Sequence, residues 1–303
     1  MSYHVPVLLK QSVEGLNIQA GGIYVDATFG GGGHAHAIFE KMKRGTLVAF
    51  DQDPDAVQNT ASFESDRQRS FIFVSSNFRY LKRYLKFHKI DKVDGILADL
   101  GVSSHQFDQQ NRGFSTRLDG VLDMRMNQVS ANTAAKVVNE YSQEELIKLL
   151  SRFGEIRNAR RLASEILSAR AKEPINTTSK LKSIALKSAP NGKHSKYLAK
   201  LFQAIRIEVN DEINAFKEFL IQSKDVLKVG GRLVIISYHS LEDRLAKFLI
   251  NTGNLNGILE KDFFGNVIRS FEPLNGRLII PAANEIALNN RARSAKLRIG
   301  IKN

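Results

Sequence analysis

Three carboxylates and a run of glycines are the residues of this 303-residue chain whose types and spacing suggest chemistry. Asp26 heads the stretch Asp26-Ala-Thr-Phe-Gly-Gly-Gly-Gly-His34, Asp51 follows Thr46-Leu-Val-Ala-Phe50, and Asp99 closes Gly95-Ile-Leu-Ala-Asp99. Glycine lets backbone approach a ligand and take positive φ without a Cβ clash. A helix that starts just after such a turn offers free N–H groups and the positive end of its dipole. An acid at the end of the next strand accepts hydrogen bonds from ribose hydroxyls, and Asp51 lies 21 positions past Gly30, the spacing of that role. Together these residues describe a site for an adenosine-bearing cofactor.

The turn alone leaves the cofactor open. A P-loop needs Gly-Lys-Ser/Thr after its glycines, whereas His34-Ala35 stands here, which disfavours ATP hydrolysis by that route. Gly30, Gly32 and Ala35 satisfy the Gly-x-Gly-x-x-Gly/Ala pattern of an NAD site. Asp26-x-Thr28-x-Gly30-x-Gly32 equally resembles the acid-plus-alternating-glycine pattern of S-adenosylmethionine sites, with Thr28 in place of the first glycine.

The surrounding pattern predicts the elements that position these groups. Strands are expected at 23–29, 46–50, 71–74 and 92–100, with helices over 34–43 and after Asp53-Pro54, where Asp53 caps and proline suits the first helical position. This alternation predicts a doubly wound, Rossmann-like α/β domain with a parallel sheet. The next strong strand is Gly231–Ile236, introduced by Lys228-Val-Gly-Gly as a helix stop. Between Leu100 and Gly231 lie 130 residues, against about 30 for a whole βαβ unit, so an insertion is expected. Its pattern is helical: Ser142-Gln-Glu-Glu145 has capping-box spacing, and Ile156, Ala159, Leu162, Ala163, Ile166 and Leu167 recur on one face. Ile213, Phe216 and Leu220 mark a crossover helix back to the sheet, 251–275 reads as loop with weak strand character around Val267-Ile268, and Lys296–Lys302 alternates as a terminal strand. The expected division is a discontinuous domain of 1–104 and 206–303, with a mainly helical, substrate-recognising insertion of 105–205.

Charge adds a partner. The net charge is +13, and residues 105–205 hold 17 Lys and Arg against 9 Asp and Glu, so the insertion carries +8 of it. Lys and Arg that neutralise phosphates drive nucleic-acid affinity through counterion release. The absence of cysteine excludes disulfides, thiolate catalysis and Cys-based zinc sites, and no histidine pair has clear metal-ligand spacing. No run of about 18 apolar residues predicts a membrane span, and the N-terminus lacks a signal-peptide pattern, so a cytoplasmic protein is expected.

The chain resembles the MraW/RsmH family of methyltransferases, which act on the N4 amino group of a cytosine in the decoding region of small-subunit ribosomal RNA. The resemblance runs essentially the full length. It rests on His4-x-Pro-Val-Leu-Leu9, Asp26–His34, Asp51-Gln-Asp-Pro54, Asp94–Ser104, Asn111-Arg-Gly-Phe-Ser115, Leu122-Asp-Met-Arg-Met126, Phe202–Ile207, Ser237–Arg244 and Asn290-Arg-Ala-Arg-Ser294. It implies a class I S-adenosylmethionine-dependent methyltransferase fold with a helical domain inserted after the fourth strand. It further implies Gly32, Gly33 and His34 at the cofactor turn, Asp51 on the ribose, Phe78 near the adenine, and Asp99 and Gln106 along the methionine side. The implied substrate is RNA of the 30S subunit, and the family resemblance allows a homodimer. His105 stands where some relatives have proline, and Gly31 is not always glycine.

The exocyclic amine of cytosine is a poor nucleophile because its lone pair is delocalised into the ring. A hydrogen-bond acceptor must localise that pair as it attacks the methyl group in line with sulfur. Many amino-methyltransferases use an Asp/Asn/Ser-Pro-Pro-aromatic motif for this purpose; Asp99-Leu-Gly-Val-Ser-Ser104 occupies its place here. Asp99 is the first candidate acceptor, while His239 and Ser240, after the fifth strand, can reach the same edge. Arg206, Arg291 and Arg293 are the candidate phosphate contacts. An NAD-dependent oxidoreductase and a non-catalytic RNA-binding protein are the competing readings.

Overall fold

The computed structural model describes residues 6–274, 276 and 278–303; His4 and Val5 of the first motif, and Asn275 at the end of the expected loop, lie outside them. The chain forms two compact units, one of residues 1–101 and 213–303, the other of residues 102–212.

The first unit is built on seven strands: β1 (Ile23–Asp26), β2 (Gly45–Asp51), β3 (Arg69–Ser75), β4 (Val93–Asp99), β5 (Leu227–Ser237), β6 (Phe271–Pro273) and β7 (Lys296–Lys302). Their order is β3-β2-β1-β4-β5-β7-β6; β1 to β5 are parallel, and β7 runs antiparallel to β5 and to β6. The central strands are apolar on both faces, as expected where helices cover both sides. Leu47, Val48, Ala49 and Phe50 are fully buried, as are Leu233 to Ile236. The period of two sends alternate residues to opposite faces. Val25, Phe50, Ile96 and Leu233 pack with Phe216, Phe219 and Leu220 of the helix Glu212–Val226. Tyr24, Leu47, Leu97 and Val234 pack with Leu8, Leu16, Ile38 and Phe39 on the other face.

The strand order reverses between β1 and β4, and Asp26, Asp51 and Asp99 are the last residues of β1, β2 and β4. Ligands in open α/β sheets bind outside the carboxyl ends of the strands at such a reversal.

Several local expectations shift. Lys228-Val-Gly-Gly follows a helix end, as expected, but already lies inside β5. The helix ends at Val226, and the pairing jumps from Val93 with Leu227 to Gly95 with Arg232, so these residues form a bulge. Gly230 supplies φ of 79° there, and a Cβ on Gly231 would meet the carbonyl oxygens of Lys228 and Asp94. The segment after Asp53 winds as a 3-10 helix, Pro54–Ser62, with Asp53 accepting from the Asp55 N–H. The region read as loop contributes β6, paired to the terminal strand.

The second unit is helical. It contains Ala134–Glu140, Gln143–Arg152, Ala159–Arg170, Thr178–Leu186 and His194–Asn210, closed around Leu146, Leu150, Leu162, Ile166, Leu201 and Ile205. The capping box forms: Glu145 N–H donates to Ser142 Oγ (3.2 Å) and Ser142 N–H to Glu145 Oε2 (2.7 Å). Asn210 ties a distant loop to the end of its helix, accepting from Met126 N–H and donating to the Met124 carbonyl, both at 2.7 Å. The helix His194–Asn210 runs through position 205 and ends where Asp211 takes φ of 49°. The compact unit spans 102–212, and Gly101, just before it, takes φ of 103°.

Candidate active site

Within the first unit, the glycine turn is a set of different solutions rather than four equivalent residues. Gly30 and Gly32 take φ of 52° and 77°, the left-handed region that disfavours a side chain. Gly32 precedes the helix Gly33–Lys41 and accepts from the His36 N–H at 2.8 Å. A Cβ on Gly33 would overlap the Pro6 ring, while one on Gly31 would meet nothing within 4 Å. Gly33 is therefore set by packing, and Gly31 faces open space.

Asp51 locks this turn to β2. Its Oδ2 accepts from the Gly30 N–H at 2.7 Å and its Oδ1 from the Asp53 N–H at 2.8 Å. Burial pushes its pKa up to about 6, against the lowering effect of those two N–H groups. The Gln52 N–H adds a third bond, and a carboxylate has about four acceptor positions, so capacity remains for a ribose hydroxyl.

Asp26 proves to be more than the start of a pattern. It is 1% exposed, its Oδ1 accepts from the Thr28 N–H at 3.0 Å, and its Oδ2 has no hydrogen-bond partner. Burial raises its pKa to about 7, with the charge of Asp51 adding to the shift. Thr28, in place of the pattern's first glycine, accepts from the Asp99 N–H at 2.7 Å and so joins the ends of β1 and β4.

The Asp99 carboxyl group faces Tyr238 and His34, both from distant parts of the chain. Tyr238, just past β5, donates its hydroxyl to Asp99 Oδ1 at 2.7 Å. His34 Nδ1 stands 3.7 Å from Asp99 Oδ2. His34 Nε2 lies 3.1 Å from the Val7 carbonyl, which can only accept, so Nε2 carries the proton and Nδ1 presents a lone pair. Burial lowers the His34 pKa to about 4, keeping the ring neutral. Burial raises the Asp99 pKa to about 7; the Tyr238 hydrogen bond opposes this, and the charges of Asp26 and Glu242 add to it.

With its Nε2 3.2 Å from Glu242 Oε1, His239 serves the helix that follows. It caps the helix Ser240–Thr252, its Nδ1 accepting from the Glu242 N–H at 3.4 Å, while buried Glu242 accepts from the Tyr238 N–H at 2.9 Å. This clamp fixes the backbone from which Tyr238 reaches Asp99. A cavity of about 350 Å³ opens beside it, lined by Tyr238, His239, Ser240, Arg293 and Lys296 among others. Arg293 and Arg291 lie on the exposed turn Asn290–Ser294.

Phe78 follows β3, where Asn77 Nδ2 donates to Gln52 Oε1 at 2.8 Å and so links the ends of β3 and β2. Its ring packs edge-on against Phe219, 5.2 Å between centroids.

The MraW methylase family pattern matches residues 1–303. This chain belongs to that family. Ribosomal RNA small subunit methyltransferase H of Amoebophilus asiaticus is 54% identical, with 99% of this chain and 96% of that protein covered. The proteins of the same name from Cytophaga hutchinsonii and Christiangramia forsetii are each 53% identical, over 98% and 100% of this chain and 98% of each relative. Membership decides the cofactor question that the glycine turn left open: the chain is an S-adenosylmethionine-dependent methyltransferase, and the NAD reading falls. The residues fit the group. Asp26 offers a buried, unpartnered carboxylate oxygen suited to a cationic amine, and Asp51 retains acceptor capacity for a ribose.

Two expected residues lie in the helical unit. Gln106 is 4% exposed and completes a capping box, its Oε1 accepting from the Ser103 N–H at 3.0 Å. Arg206 is gripped by both oxygens of Glu212, at 2.8 and 2.9 Å, with its side chain only 14% exposed. A carboxylate occupies that fork in a part-buried ion pair. Sequence reasoning missed Tyr238 and the unpartnered, buried state of Asp26; the Ser237–Arg244 motif was the signal for the first, and no local pattern signals the second.

Proposed function

We propose that this methyltransferase moves a methyl group from S-adenosylmethionine to the exocyclic N4 of a cytosine in the decoding region of small-subunit ribosomal RNA. Full-length membership in the methylase family, with relatives named for the small subunit covered from end to end, carries this reading. Asp51 holds the ribose, Phe78 borders the adenine, and Asp26 with the Gly32–His34 turn borders the methionine end. When bound, the sulfonium supplies an electrophilic methyl group and leaves as a neutral thioether.

Asp99 accepts the hydrogen bond from the cytosine amine and takes up the proton that the amine loses. The chemistry requires the ionised carboxylate, and a pKa near 7 places its loss and gain of a proton in the working range. Tyr238 steadies Oδ1 of the ionised form and leaves Oδ2 for the substrate amine. The cytosine must leave its stack to reach this edge, and Arg293, which lines the same cavity as Tyr238, holds a flanking phosphate in this reading; Arg291 lies on the same turn. The substrate is read as RNA within the 30S subunit, which places the protein in the cytoplasm. Among the described residues no helix is long and apolar enough to cross a membrane. A homodimer belongs to the same reading, and light scattering on the purified chain tests it.

Mass mapping of small-subunit RNA after incubation with the protein and S-adenosylmethionine tests cofactor, reaction and substrate together. A 14-dalton gain at one cytosine is expected, about the mass of one CH₂ as a methyl replaces a hydrogen. Unmodified RNA would overturn the reading.

A further inference from the structure

The opposite, amino edge of the sheet carries a basic cavity that methyl transfer does not use. It encloses about 660 Å³, and five lysines line it: Lys82, Lys92, Lys224, Lys228 and Lys302, with Asp225 as the acid among them. They come from separate places, namely the helix Leu81–Phe87, the approach to β4, the helix Glu212–Val226, the β5 bulge and the end of β7. Lys82 pairs with Asp225 and Lys228 with Asp94, at 2.7 and 2.8 Å. Lys92 Nζ donates to the Asp225 carbonyl at 2.7 Å and Lys224 Nζ to the Gly253 carbonyl at 3.4 Å, bonds that neutralise no charge. Lys302 Nζ donates to an oxygen of Asn303 at 2.6 Å, so of the five ammonium groups Lys92 and Lys224 face neutral mid-chain carbonyls alone, and the cavity keeps an excess of positive charge. Burial lowers the Lys302 pKa, and Lys92 and Lys224 beside it add to the shift.

Ligand class follows from the donor set. The lining has no arginine fork for bidentate recognition and no aromatic ring to stack a base; besides the charged residues it is aliphatic. Lysines act as point charges and neutralise phosphates without reading sequence. β4 runs from Val93 at this edge to Asp99 at the other, about 20 Å at some 3.3 Å per residue, so only an extended polyanion can meet both.

We infer that this lysine cavity grips the phosphate backbone of the RNA substrate at a second position, remote from the methylated cytosine. The inference rests on the RNA-methylation reading above.

The test uses the full chain with S-adenosylmethionine, a labelled small-subunit RNA fragment and a series of KCl concentrations, read by fluorescence anisotropy. For Lys224→Gln with Lys302→Gln, the plot of log affinity against log salt should become shallower by about 1.5, since each lost phosphate contact removes roughly 0.7 to 0.9. Affinity at low salt should fall at least several-fold, S-adenosylmethionine affinity should be unchanged, and a short oligonucleotide around the target cytosine should bind as to wild type. Should the double variant lose cofactor affinity through misfolding, Lys92→Gln alone should lower the slope by about half as much. An unchanged slope in a folded variant overturns the inference while leaving the functional reading standing. Micromolar, saturable binding of inorganic tripolyphosphate that the variant loses, with the RNA slope unmoved, would reassign the cavity to a small polyphosphate. A wild-type protein that binds no small-subunit RNA overturns the functional reading and this inference with it.

Discussion

Tyr238 donates its hydroxyl to Asp99 Oδ1 at 2.7 Å, joining the carboxyl ends of β5 and β4 across 139 positions of sequence. The bond favours the ionised carboxylate, against a burial that favours the acid. Tyr238→Phe removes only that bond. The Asp99 pKa should then rise, by about one unit or more for a hydrogen bond to a charged group. The acid limb of the kcat–pH profile should move upward by the same amount, with S-adenosylmethionine affinity little altered. An unmoved limb would separate Tyr238 from the titrating group.

Asp99→Asn keeps the shape of the side chain and abolishes its ability to take a proton. Methyl transfer should fall by about 10²- to 10⁴-fold, the range for loss of a general base. Cofactor affinity, followed by calorimetry, should stay within a few-fold. Full activity in this variant would remove the carboxylate from the mechanism.

Asp51→Ala tests the ribose contact. The carboxylate is committed on one side to the Gly30 and Asp53 N–H groups, so the substitution loosens the turn as well as the ligand. S-adenosylmethionine should bind about 10- to 100-fold more weakly, as expected for the loss of one charged hydrogen bond or slightly more. Isothermal titration calorimetry checks it, and an unchanged affinity would refute the assigned role.

Asp26 links site chemistry to stability. Its pKa rises from the ordinary aspartate value of 3.8 to about 7 in the fold, so the folded state holds its proton more tightly than the unfolded chain. Its contribution is therefore fully present below about pH 4 and is lost as pH rises through about 7. Asp26→Asn abolishes that loss. Relative to wild type, the cofactor-free variant should gain stability between about pH 4.5 and about pH 7.5, by at most ~4 kcal/mol at 1.36 kcal/mol per unit. Urea denaturation at the two pH values measures it. His34, whose lowered pKa acts in the opposite sense at acid pH, is common to both proteins and cancels in the difference.

Gly33 and Gly31 should respond differently to the same change. Gly33→Ala drives a methyl group into the Pro6 ring and should cost about 1–3 kcal/mol by overpacking. Gly31→Ala meets open space, and its melting temperature should match wild type within a degree or two, since exposed substitutions usually stay within about 0.5 kcal/mol. Thermal unfolding of the two variants side by side decides it.

What the chain reveals on reading alone is what depends on neighbours in sequence. The apolar runs ending in Asp26, Asp51 and Asp99, the glycines between Asp26 and His34, the Ser142 capping box and the helical stripe from Ile156 to Leu167 are local patterns. Strand, cap and helix rules act over a few residues, so these elements were legible, as was the insertion, which is a gap in a known rhythm. Tertiary structure decided everything that needed two distant segments in one place. No spacing rule could place Tyr238 on Asp99, close Glu212 around Arg206, or bury the second oxygen of Asp26 without a partner. The five lysines around the amino-edge cavity are spread from position 82 to 302, and each alone reads as an ordinary solvated charge. Only the folded sheet, which sets the strand ends side by side in an order unlike that of the sequence, turns them into one field and the three acids into one site.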